Sequence, residues 1–99
     1  MTIEQKSTIE QALAPLRLQI DELDSQLLVW LEKRVALIRQ VGEVKNAYGV
    51  PPLSKAREEA ILLRVKEEAT SRGIPESLVE DIWRSIFSAA YILEEKHNE

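Results

Sequence analysis

Residues 15–47 read PLRLQIDELDSQLLVWLEKRVALIRQVGEVKNA, and this stretch decides the fold. Leu16, Ile20, Leu23, Leu27, Leu31, Ile38, Val41 and Val44 recur at intervals of three and four, the period of one helix face, and Arg34 is the break in the stripe. The pattern predicts a single long helix. Pro15 suits its first turn, where a missing N–H has no partner to lose, and Gly49, Pro51 and Pro52 stop it at the far end. Before it, residues 1–12 read as a frayed N-terminal extension, with Ser7 or Thr8 as cap of an added turn. Beyond it, Ser54 caps a second helix that reaches Ser71 or Arg72 and stops at a left-handed Gly73. Pro75 then sits just inside a third helix running to about Lys96, with Val79, Ile82, Trp83, Ile86, Phe87, Ala90 and Leu93 facing inward. No segment reads as a strand, and there is no internal repeat or low-complexity tract. The fold class is all-α: a single domain over residues 1–99, a three-helix protomer with one long N-terminal helix.

Length then bears on assembly. A helix from Pro15 to Ala47 spans roughly 50 Å at 1.5 Å per residue, whereas a compact domain of this size has a radius of gyration of about 13 Å. The two shorter helices cover part of it, and the rest of its apolar stripe calls for a second copy, most simply in an intertwined two-fold homodimer. A free-standing coiled coil is the alternative. The Gly-Val-Pro-Pro and Gly-Ile-Pro punctuation favours a folded bundle, and the a/d repeat is not sustained.

Composition narrows the chemistry by exclusion. The 99 residues contain no cysteine and one histidine, His97, so thiolate chemistry, a His-based triad and a two-His metal site within one chain are all ruled out. No metal or other cofactor is expected. A net charge of −4 argues against a general nucleic-acid surface, for which excess positive charge supplies the affinity. The start of the chain carries Glu4, Lys6 and Glu10, and no long apolar run follows anywhere, so neither a signal peptide nor a membrane span is expected; a cytoplasmic location fits.

What chemistry remains must come from charged residues standing where apolar ones are expected. Arg34 and Lys45 fall about 20° apart on the helical wheel and roughly 16 Å apart along the axis, with Ile38 and Val41 between them. Two long cationic side chains over an apolar floor grip a small anion, the guanidinium taking a carboxylate in bidentate fashion; otherwise both are solvated and their stems cover the stripe. Arg17 lies about 25 Å before Arg34 on another face, so it joins that site only from a partner subunit, or else is a surface arginine. Arg57 in the first turn of the second helix is unfavourable for the helix dipole unless an anion lies nearby, and Glu58 is favourable there without further explanation. Glu94 follows Ala90 by one turn on the inward face of the third helix. Either it is buried among apolar residues, with its pKa raised and its carboxyl a proton donor, or Glu94, Glu95 and Lys96 form a charged terminus.

The stretches Pro15-Leu16-Arg17, Ile20-Asp21-Glu22-Leu23-Asp24, Leu31-Glu32-Lys33-Arg34, Val41-Gly42-Glu43-Val44-Lys45 and Ala56-Arg57-Glu58 jointly resemble the all-helical class of chorismate mutase over about residues 13–97. The chain is especially similar to the mutase domain that is fused to prephenate dehydrogenase, with which it shares the Val-Gly-Glu-Val-Lys run, the surroundings of Tyr91 and a Glu at position 94. The resemblance implies rearrangement of chorismate to prephenate, in aromatic amino acid biosynthesis, by a dimer with two equivalent sites built from both chains. It implies that Arg34, with Arg17 of the other subunit, holds the side-chain carboxylate, that Arg57 faces the ring carboxylate, and that Lys45 and Glu94 flank the ether oxygen. Glu58 would accept from the ring hydroxyl, and Val41 would lie against the substrate. Ser54 stands where a single-function bacterial mutase has Asp, Ala90 where it has Ser, and Glu94 where it has Gln; the last has precedent in the fused enzyme and in fungal relatives. Isochorismate-pyruvate lyase and 4-amino-4-deoxychorismate mutase are similar scaffolds, and Ser54 and Ala90 lie where ring substituents would be read. A non-catalytic helical dimer or regulatory binding module is the reading of another class.

Overall fold

The computed structural model describes residues 2–95, and in it the chain is all-helical: α1 spans Ile3–Ala47, α2 Lys55–Ser71 and α3 Glu76–Glu95. No strand occurs among the described residues, and no helix among them is long and apolar enough to cross a membrane. Lys96 and His97 lie outside the described residues. The chain divides into two compact units, Met1–Arg34 and Val35–Glu99.

The first unit is helical from Ile3 onward, which corrects two expectations: residues 3–14 are part of α1 rather than frayed, and Pro15 stands inside the helix rather than in its first turn. The cap lies at Thr2. Its Oγ1 accepts from the Gln5 N–H at 3.2 Å, while its own N–H donates to Gln5 Oε1 at 2.9 Å, a reciprocal capping box. Thr8, a candidate cap by sequence, instead donates its hydroxyl to the Glu4 carbonyl within the helix. An interior proline costs about 3 kcal/mol through its missing N–H and its clash with the preceding turn. Ala12, Leu13 and Ala14, all strong helix formers, carry the helix up to it.

In the second unit the ends of the helices follow the sequence signals closely. Gly49 adopts φ +68°, the Val50 N–H bonds to the Lys45 carbonyl at 2.8 Å, and the Gly49 N–H bonds to the Asn46 carbonyl at 3.2 Å. Those are the two hydrogen bonds of a Schellman cap. The same motif closes α2, with Gly73 at φ +70°, Ile74 N–H on the Ala69 carbonyl and Gly73 N–H on the Thr70 carbonyl. Ser54 is the N-cap of α2, its Oγ accepting from the Arg57 N–H at 3.3 Å.

The core lies between α2 and α3 and consists of Ile61, Val65 and Ala69 facing Val79 and Phe87, with Leu62 and Trp83 packed on its edge. Ile82, expected to face inward, is 43 % exposed. It falls with Leu78 and Ile92 on the flank of α3, roughly 60–140° round the helix from Val79, Ala90 and Phe87 at 100° per residue. Polar ties join the pair: Lys66 reaches Glu80 at 3.6 Å, and the Thr70 hydroxyl donates to Glu76 Oε1 at 2.7 Å.

α1 presents a different picture. Leu16, Ile20, Leu23, Leu27, Trp30, Leu37, Val41 and Val44 are each at least 40 % exposed. They recur at alternating intervals of four and three, with Arg34 filling the one missing position. A heptad repeat is therefore sustained, one residue to the side of the Leu31 and Ile38 positions that made it look interrupted. In the second unit, Val35, Ile38, Gly42 and Lys45 form the sheltered side of the last turns of α1.

Glu80 accepts a hydrogen bond from Arg84 at 3.2 Å, and this bond, followed by the charges of Lys66 and Arg84, holds its carboxyl below the usual carboxylate range. A lowered carboxyl contributes stability that is complete above its unfolded value and is lost as pH falls through the folded one. Urea denaturation of the native protein and of Glu80→Gln should therefore show a stability gap at about pH 7 that narrows towards about pH 3. A gap that is constant with pH would contradict the pairing.

Candidate functional site

Lys45 and Glu94 are 49 residues apart in the chain and 2.6 Å apart in the fold, the Lys45 Nζ donating to Glu94 Oε1. The last turn of α1 carries the lysine and the last turns of α3 carry the carboxylate. A second bond, 2.7 Å long, runs from the same Nζ to the carbonyl of Pro52 in the turn between α1 and α2. Glu94 is buried, with its side chain 8 % exposed, and the Lys45 side chain is 23 % exposed. Glu94 thus lies on an inward face, as its spacing from Ala90 suggested. What the spacing did not reveal is the cation directly against it.

Such a pair has a definite chemical use. A lysine ammonium has three N–H donors, and two of them are engaged here, which leaves one for a ligand atom. A hydrogen-bonding carboxyl group stands beside that donor, so an oxygen placed there meets a fixed positive charge and a second polar group.

The remaining candidates are placed as follows. Ala90 is buried one turn before Glu94 and brings no polar atom. Glu58, half-buried in the first turn of α2, lines an open cleft with Leu53, Arg84, Phe87, Ser88, Tyr91 and Ile92. Arg57 beside it is exposed. The Ser54 hydroxyl is engaged in capping α2, so it serves the helix first. Val41 is 40 % exposed on α1. Arg34 is half-buried and closes the first unit. Arg17, also in the first unit, is exposed and pairs with Glu10 at 2.7 Å. Exposed pairs of this kind contribute about 0–1 kcal/mol, so Arg17 gives up Glu10 for a better-placed anion at little expense.

Sequence reasoning missed the Pro52 carbonyl, since a main-chain acceptor has no residue-type signal, and it treated Phe87 only as core although it also lines the cleft.

Removing Glu94 strands Lys45 without its countercharge. Glu94→Ala should lower the unfolding free energy by about 1–3 kcal/mol, less than the ~3–5 kcal/mol typical of fully buried pairs because Lys45 keeps part of its hydration. Glu94→Gln, whose amide oxygen still accepts from Nζ, should lose less. Chemical denaturation of the three proteins distinguishes these outcomes, and equal losses would show that charge, not the hydrogen bond, sets the effect.

Comparison with known proteins gives a consistent result. Residues 16–95 match the family described as chorismate mutase type II. The chain is 42 % identical over 82 residues to the T-protein of Enterobacter agglomerans, which covers 83 % of this chain and 22 % of that protein. It is 40 % identical over 81 residues to the T-protein of Haemophilus influenzae, with 82 % and 22 % covered. The chorismate mutase of Methanocaldococcus jannaschii is 31 % identical over 68 residues, 69 % of either chain. The chain thus spans about a fifth of the length of the T-proteins it matches.

Proposed function

This chain belongs to the type II chorismate mutase family, and from that premise we propose that it converts chorismate to prephenate. The observation that carries the reading is the Lys45–Glu94 pair, which stands at the two positions that the family resemblance assigns to the ether oxygen. The reaction is an intramolecular rearrangement in which a carbon–oxygen bond breaks as a carbon–carbon bond forms. It requires no nucleophile and no cofactor, which suits a chain without cysteine.

In this mechanism the protein contributes shape and fixed charge. Arg34 and the partner's Arg17 hold the side-chain carboxylate, and Arg57 faces the ring carboxylate, so the flexible side chain is kept over the ring. Lys45 donates to the ether oxygen as negative charge develops there, and Glu94, which accepts from the same ammonium rather than donating as the sequence suggested, holds it in place beside that oxygen. Glu58 accepts from the ring hydroxyl, Val41 packs on the substrate, and Ser54 and Ala90 border the ring. A millionfold acceleration requires about 8 kcal/mol; one fixed donor to developing charge supplies roughly 3–4 kcal/mol, and ordering of the substrate supplies the rest.

The assembly we propose is an intertwined homodimer. It is supported by the exposed heptad stripe of α1, whose apolar side chains are left for a second copy to cover. Arg17 in this arrangement acts in the neighbouring subunit's site.

Incubation of the purified protein with chorismate, isochorismate and 4-amino-4-deoxychorismate, followed by product identification, tests the activity. Prephenate from chorismate is the expected result; turnover of either other substrate alone assigns the chain to a related reaction, and inertness towards all three favours a binding module. Lys45→Ala should lower turnover at least about a hundredfold. Glu94→Gln, whose amide oxygen still accepts from the ammonium, should keep more turnover than Glu94→Ala. Mixing inactive Arg17→Ala and Arg34→Ala proteins should restore activity in part, since a hybrid dimer holds one intact site. No recovery after demonstrated subunit exchange would refute the shared site.

A further inference from the structure

Lys45 is held at both of its ends by the same turn. Its carbonyl accepts the Val50 N–H at 2.8 Å as part of the Schellman cap, and its Nζ donates to the Pro52 carbonyl at 2.7 Å. Between these two anchors the backbone has little freedom. Gly49 occupies the left-handed region at φ +68°, Pro51 and Pro52 each have φ locked by the ring, and a residue that precedes a proline is confined to extended conformations. Val50 and Pro51 are both in that position. The turn is thus a rigid arm that starts on the lysine's main chain and returns to its side chain.

A lysine side chain has four rotatable bonds, and a donor that acts on a developing charge must be aimed before the charge appears. Glu94 alone does not aim it, because one acceptor leaves the ammonium free to swing about that bond. Two acceptors, the Glu94 carboxylate and the Pro52 carbonyl, fix its position and the direction of the third N–H. We propose that the Gly49–Pro52 turn is the positioning element of the site, and that the Pro52 carbonyl is the positioning group that directs the free N–H of Lys45 at the substrate's ether oxygen. This inference rests on the mutase reading.

The test combines kinetics with a measurement that needs no substrate. Pro52→Gly keeps the carbonyl but frees the arm, and Pro52→Ala is the conservative variant that restores part of the stiffness. Gly49→Ala strains the other end: an added Cβ meets nothing within 4 Å, so its effect is confined to the backbone angle. In steady-state turnover of chorismate, Pro52→Gly should lose about tenfold in kcat with KM within about twofold of native, and Pro52→Ala should recover most of the loss. In the ligand-free proteins, the ammonium protons of Lys45, followed by nitrogen-15 NMR, should exchange with water faster in Pro52→Gly than in native protein. Native kcat in both Pro52→Gly and Gly49→Ala overturns the proposal, as does a rise in KM with kcat unchanged. A native protein that is inert towards chorismate overturns the mutase reading instead, while unaltered ammonium exchange in Pro52→Gly overturns the positioning claim by itself.

Discussion

An ammonium group removed from most of its water must have its N–H donors matched by acceptors, and the second unit is organised around meeting that requirement at Lys45. The acceptors come from two places in the chain, Pro52 in the turn after α1 and Glu94 near the end of α3. Satisfying both brings the end of α1, the turn and the end of α3 to one point. The α2–α3 core makes this geometry available, because Ile61, Val65 and Ala69 pack on Val79 and Phe87 and thereby fix the direction in which α3 leaves the core and delivers Glu94. Hydrophobic burial sets the frame, and the lysine with its two acceptors locks its open end. The pair is weak as a source of net stability, since desolvation of both charges offsets much of their attraction.

Features set by a few neighbouring residues were legible in the sequence. Gly49, Ser54 and Gly73 mark helix ends through backbone angles and a side-chain cap, both of which are local, and each lies where its residue type predicts. The start of α1 was not legible in this way. Pro15 suits a first turn, but a capping box at Thr2 and Gln5 with good helix formers between outweighs its missing hydrogen bond. The heptad stripe was hidden for a different reason: Leu31 and Ile38 lie one position from Trp30 and Leu37, and apolar residues on both sides of a seam blur its period until exposure separates them. At the site, the inward placement of Glu94 followed from helical spacing, whereas its contact with Lys45 did not. That contact spans 49 residues and depends on the path of two intervening turns, which no periodicity encodes.

The same separation of local from non-local information explains why the roles of the arginines remain tied to family likeness while that of Lys45 rests also on geometry. Arg17 and Arg57 are exposed, and an exposed cation acquires meaning only from the anion that reaches it. Lys45 already has partners, and their directions limit what a ligand atom beside it must be: an acceptor, small, and in line with one remaining N–H.

Charge then divides the proposed work. Lys45 paired with an ionised Glu94 is nearly neutral at a distance, so the pair contributes little to attracting a dianion to a chain whose net charge is −4. In the proposed reading, long-range attraction and hold fall to the arginines, whose guanidinium groups match carboxylates in bidentate geometry. The pair is better suited to a short-range task. When negative charge appears on an oxygen within hydrogen-bond distance of the ammonium, the two poles are no longer equivalent, and the pole nearer that oxygen, the ammonium, decides the response. A site of the proposed construction holds its substrate by one set of groups and responds to the reaction by another. In that reading, binding and chemistry are separable on a scaffold of three helices, because the two tasks fall to different residues.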